Sequence, residues 1–186
     1  MILPIVGYGV PALKKKGTEI DKSYPGLHGL IDNMWETMYN ANGVGLAAPQ
    51  VNLSIRLFVI DASPFKEEDP AMENFKKVFI NPVMVHQQGD EWLFNEGCLS
   101  FPDLREDVSR KGKIKLRYLD ENFEQHEEEF DGLAARIIQH EYDHIEGIVF
   151  VDRISPLKRQ LIKTKLNNII KGKVSPSYKM KFAQRK

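Results

Sequence analysis

The chain has 186 residues, of which 42% are apolar and 28% charged, and its formal net charge is zero. A single domain spanning residues 1–186 is expected, since this length and apolar content suffice for a full hydrophobic core. The lone cysteine, Cys98, excludes an intramolecular disulfide framework and suits a reducing compartment; no apolar run reaches the roughly 18 residues that suggest a membrane span.

A short apolar run at residues 2–6 opens the chain, but Lys14, Lys15 and Lys16 follow it instead of preceding it, which is not the order of a secretory signal. Leu27, Leu30, Ile31, Met34 and Met38 recur at helical spacing and predict an amphipathic helix over 25–41, ended by Gly43. The stretch Gly43-Val44-Gly45-Leu46-Ala47-Ala48-Pro49-Gln50 lacks the glycine order of a dinucleotide-binding turn and the ending of a phosphate loop. Taken alone it reads as a turn. Its glycines would equally let backbone approach a ligand closely, with Gln50 offering an amide donor to a developing oxyanion.

Strand patterns are expected at 55–61, 78–86, 113–119 and 123–130, and residues 63–74, with prolines and clustered acids, read as a solvated loop. Strands bunched between helices, rather than interleaved with them, predict an α+β fold with antiparallel sheets. The helix that follows opens at Asp131-Gly132 and places Leu133, Ile137, His140 and His144 on one stripe. Within it, His140-Glu141-Tyr142-Asp143-His144 sets two imidazoles one turn apart with a carboxylate between them, the pattern of a metal site with its own base. The implied reaction is a hydrolysis.

Two histidines leave a tetrahedral catalytic site one protein ligand short. One protease class extends the motif to a third histidine, but Phe150 stands there, although Gly147 is in place. Another class uses a later glutamate, and none follows Glu146, so an ordinary zinc metallopeptidase is disfavoured. Upstream, Cys98 lies in Glu96-Gly97-Cys98-Leu99-Ser100 and is either a thiolate ligand or a small buried hydrophobe; its turn-like surroundings favour the ligand.

The three stretches, in this order and at these separations, resemble the motifs of peptide deformylases, which remove the N-formyl group from newly made bacterial proteins. The segment Tyr8-Gly9-Val10-Pro11-Ala12-Leu13 is similar to that family's amino-terminal portion. The resemblance implies that Cys98, His140 and His144 bind one divalent metal. It gives Glu141 the role of general base and then acid, and assigns oxyanion donation to the Gln50 side chain and the Leu99 backbone N–H. It places Gly43, Val44, Gly45, Gly97 and Arg105 along an extended peptide, and Leu133, Arg136 and Ile137 on the wall of a methionine pocket. Arg136 departs from relatives with an aliphatic residue there; its stem is expected either to line the wall with its head in water or to turn away. Arg105 and Arg110 resemble arginines that brace the cysteine loop against an acid such as Glu96 or contact substrate backbone. Fe²⁺ is implied as the physiological ion, with Zn²⁺, Ni²⁺ and Co²⁺ also compatible with the ligands.

Residues 155–186 hold ten Lys or Arg and no Asp or Glu, leaving 16 bases against 26 acids upstream. Ser155-Pro156 is expected to start a helix whose stripe is Leu157, Leu161, Ile162, Leu166, Ile169 and Ile170, ending at Gly172. This basic segment either touches phosphate, which the resemblance connects with the ribosome, or packs on its own domain with a frayed end beyond Pro176. A cytoplasmic, bacterial, monomeric enzyme acting on N-formyl-methionyl nascent peptides is expected. A metal-holding or ribosome-binding protein without catalysis would be expected to have lost Glu141 or Gln50, and both are present.

Overall fold

A computed structural model describes residues 1–184. The chain runs from β1 (Ile5–Val6) through α1 (Leu27–Asn40) into β2 (Gly45–Ala47), β3 (Leu57–Asp61), β4 (Lys76–Cys98), β5 (Phe101–Leu119) and β6 (Gln125–Asp131). Helix α2 (Gly132–Ile145) follows, then α3 (Pro156–Leu161), α4 (Lys163–Ile170) and β7 (Met180–Lys181). Strands β2 to β6 form one antiparallel sheet in sequence order, as the α+β reading expected. A second, parallel pair joins β1 to β7 and so brings the two ends of the chain together.

Strand β3 shows how the layers are set. Leu57, Phe58, Val59 and Ile60 are all fully buried, because both faces of this strand are covered. Alternation sends Leu57 and Val59 into one core with Ile31, Met34 and Met38 of α1. Phe58 and Ile60 point the other way, into a core with Ala135, Ile138 and Ile145 of α2. The metal-motif helix is thus an interior element, buried along most of its length, and its polar residues must find partners inside the protein.

Two strands run well past their sequence-predicted bounds. Residues 85–91 of β4 are largely exposed and polar, so no apolar alternation marks them; they pair with β5 chiefly through backbone, with register shifts along the ladder. The strand expected at 123–130 begins only at Gln125, after Phe123 has taken a positive φ of 61° in the preceding turn. The expected carboxy-terminal helix is broken at Ile162, whose ψ of 3° leaves the helical region. Before the break Leu157 and Leu161 are exposed; after it Leu166 and Ile169 bury against Val6 and Phe182. The tail beyond Pro176 does not hang free as far as it is described, since β7 pairs with β1. Among the described residues, no helix is long and apolar enough to cross a membrane.

Candidate metal centre and substrate pocket

Strands β4 and β5 make a long hairpin whose tip is Leu99-Ser100, and this tip presents Cys98 to α2. The Cys98 Sγ lies 3.3 Å from His144 Nε2, and the ligand atoms of Cys98, His140 and His144 all fall within 4.8 Å of one another. The histidines are one helical turn apart, with ring centroids separated by 5.3 Å. A soft thiolate and two imidazoles at this spacing fit one divalent first-row ion.

The ring of His140 is oriented from behind. Its Nδ1 is 2.9 Å from Glu96 Oε2, so an ionised Glu96 keeps the proton on Nδ1 and turns the Nε2 lone pair toward the cysteine. Burial alone would raise the Glu96 pKa, but hydrogen bonds from Arg110 and His140 outweigh it and hold the carboxyl well below the usual range. Arg110 donates Nε to Oε1 at 2.7 Å and Nη2 to Oε2 at 2.9 Å, and its Nη1 reaches Asp143 Oδ2 at 2.7 Å. Arg153 pairs with the same Asp143. His144 is pushed well below its ordinary value chiefly by burial, which keeps its imidazole neutral.

Arg136 lines the cavity, but its head does not lie in water and is instead turned into the protein. Its side chain is 2% exposed, with Nη1 on Glu96 Oε1 at 2.9 Å and on the Val108 carbonyl at 3.0 Å, and Nη2 on the Trp92 carbonyl at 2.6 Å. The guanidinium also stacks over the Trp92 ring, 4.4 Å from its centroid. A buried carboxylate and two strand carbonyls replace the water its head would otherwise need. Arg105, in contrast, bonds Asn95 and does not reach Glu96, which Arg110 and Arg136 already occupy.

A cavity of about 410 Å³ opens over this centre. Every residue anticipated for catalysis or substrate contact lines it: Gly43, Val44, Gly45, Gln50, Gly97, Leu99, Arg105, Leu133, Arg136, Ile137 and Glu141, together with Cys98 and His140. His144 lies beneath, 1% exposed. Gln50 sits on a 3-10 turn, Ala48–Val51, with Oε1 accepting from the Ala47 N–H at 2.8 Å. That bond orients the amide, so Nε2 faces Cys98 Sγ at 3.5 Å and Ser100 Oγ at 3.4 Å. Glu141 is packed against Gly45, where a Cβ would overlap its carboxylate, so only glycine fits. The Glu141 Oε2 is buried with no hydrogen-bond partner among the described residues, and burial pushes its carboxyl up to about 7.

Sequence reasoning missed Phe65, Phe94 and Tyr178 on the cavity wall, and the clasp of Asp143 by two arginines. Phe94 had a weak signal, the alternation Trp92-Leu93-Phe94 just before the cysteine motif, whereas Phe65 and Tyr178 reach the site through folding of distant segments.

The family model of polypeptide deformylases matches residues 2–160. A peptide deformylase of Christiangramia forsetii is 57% identical, covering 100% of this chain and 98% of its own, and one from Flavobacterium psychrophilum is 58% identical over 100% of both. Among solved structures, a peptide deformylase from Legionella pneumophila superposes with a TM-score of 0.80 at 37% identity, covering 93% of this chain and 98% of that one. The Plasmodium falciparum peptide deformylase in complex with inhibitor gives 0.78 at 33% identity, covering 90% and 99%. The chain belongs to the peptide deformylase family, metal-dependent hydrolases that remove the N-formyl group from nascent polypeptides.

Proposed function

We propose that Cys98, His140 and His144 hold one divalent ion, and that Glu141 moves the proton while Gln50 Nε2 and the Leu99 N–H receive the oxyanion. The observation that carries this reading is convergence. Gln50 Nε2 and the cluster of three ligand atoms meet at the floor of one cavity, whose lining also includes Glu141. A bound ion supplies Lewis acidity, bringing the pKa of an attacking water toward neutrality. Glu141, with a carboxyl near 7 and an unpartnered Oε2, is suited to accept a proton from that water and return it to the leaving amine. A rigid amide donor at Gln50 needs no reorganisation when charge develops on the formyl oxygen.

Val44, Leu133 and Ile137 give the cavity an apolar wall suited to a methionine side chain, while Gly43, Gly45, Gly97 and Arg105 lie along the path of the extended peptide. Arg136 acts from below, by completing the cage around Glu96. Fe²⁺ is the proposed physiological ion, with Zn²⁺, Ni²⁺ and Co²⁺ as substitutes the same ligands accept. The chain works as one catalytic domain, monomeric and cytoplasmic, and its basic residues after 155 contact the ribosome.

Formate release from formyl-Met peptides by anaerobic, Fe²⁺-loaded protein tests the activity, with an internally cleavable unformylated peptide as control. Cleavage of the control with no formate would replace deformylation by a metallopeptidase. Ribosome co-sedimentation at varied salt tests the basic segment, and absent or salt-insensitive binding would remove that contact.

A further inference from the structure

The turn that carries Cys98 is braced by both ends of the chain. Tyr8, two residues after β1, donates its backbone N–H to the Ser100 carbonyl at 3.0 Å. Tyr178, two residues before β7, donates its hydroxyl to the Leu99 carbonyl at 2.8 Å. The ends are locked to each other in the same place, since Ile5 N–H bonds Lys179 O and Gly7 N–H bonds Lys181 O, both at 2.9 Å. Tyr178 also lines the cavity and packs on the core that contains Ile5, Leu46 and Leu57. It lies outside residues 2–160, the span that the deformylase family model matches.

We propose that Tyr178 is a positioning residue for deformylation, holding the Leu99 carbonyl so that the Cys98-Leu99-Ser100 turn presents its thiol and backbone donor in one fixed geometry. This rests on the oxyanion role given to Leu99 above. A hydroxyl-to-carbonyl bond restricts rotation about the Leu99 backbone, and Tyr8 restricts it on the far side at Ser100. Gln50, close to both Cys98 and Ser100, completes the cradle from inside. A two-residue hairpin tip without these anchors would sample other conformations, each moving the donor away from the site of developing charge.

Tyr178→Phe removes only the hydroxyl and keeps the ring on the core. With a misplacement of 1 Å costing about 100-fold in turnover, a loosened turn is expected to lower kcat about tenfold. KM should stay within about twofold and metal content should be unchanged. In the Zn²⁺-loaded protein, amide hydrogen exchange at Leu99 and Ser100 should accelerate, while the amides of β1 that pair with the tail stay protected. A kcat within twofold of the unsubstituted protein would overturn the proposal. So would a rise in KM at constant kcat, which would make Tyr178 a wall of the pocket, or equal acceleration at Leu99, Ser100 and β1, which would make it a general stabiliser. If the unsubstituted protein released no formate, the deformylase roles would fall, and the exchange rates, which need no turnover, would still decide the brace.

Discussion

Replacing Glu96 by glutamine tests the charge cage behind the metal centre. The carboxylate takes four donors: Arg110 Nε and Arg136 Nη1 at Oε1, and Arg110 Nη2 and His140 Nδ1 at Oε2. An amide has one acceptor oxygen, so two of the four bonds are lost whichever way it sits. With its NH₂ in the Oε1 position it confronts two guanidinium groups. With its NH₂ in the Oε2 position it faces Arg110 and forces His140 to accept at Nδ1, moving the proton to the nitrogen that should hold metal. Each charged hydrogen bond is worth about 1.5–3 kcal/mol, and breaking a buried ion pair typically costs about 3–5 kcal/mol. For a chain of this size that lowers Tm by about 6–20 °C. Metal affinity should fall about 10- to 100-fold, as when the partner of a ligating histidine is removed.

The assays are thermal denaturation of the metal-stripped protein and competitive metal titration at pH 7. Because the folded pKa of Glu96 is depressed, its contribution is complete above its unfolded value of 4.5 and shrinks as pH falls below that toward the folded pKa. The stability gap between the parent and the Glu96→Gln variant should therefore narrow in acid. A variant melting within 2 °C of the parent at pH 7, with unchanged metal affinity, would refute the reasoning.

Gln50→Ala should keep fold and metal while turnover falls about 100- to 1000-fold; near-normal rates in metal-loaded protein would remove its oxyanion role. Glu141→Ala should bind metal yet lose about 100- to 10,000-fold in formate release, checked by metal analysis beside steady-state kinetics. Gly45→Ala drives a methyl group into the Glu141 carboxylate, so kcat should drop by about tenfold or more with metal content unchanged, and an unaffected kcat would show that Glu141 tolerates displacement.

The motif helix was legible because its local pattern and its environment agree: Leu133, Ile137, His140 and His144 share a face, and α2 begins one residue from the expected start. Helix α1, expected over 25–41, spans Leu27–Asn40 for the same reason. The outer half of the β4–β5 hairpin was not legible, since residues 85–91 bury neither face and owe their conformation to backbone pairing with a distant segment. For Arg136 only the partners of its head were out of reach, for a related cause. Periodicity placed it on the correct face of α2, but the identity of its neighbours, Glu96 and the Trp92 and Val108 carbonyls, is set by tertiary packing. The tail failed similarly, because two residues of strand at Met180–Lys181 carry no periodicity.

The parallel pairing of Ile5–Val6 with Met180–Lys181 gives the protein a timetable. Synthesis proceeds from the amino end at about 5–20 residues per second, so the helix bearing His140 and His144 is made roughly 2–7 s before the tail that closes on β1. Through that interval the hairpin tip with Cys98 lacks the bond from Tyr178 to the Leu99 carbonyl. The Cys98-Leu99-Ser100 turn is therefore among the last parts of the cavity wall to be fixed, after the helix beneath it has been made.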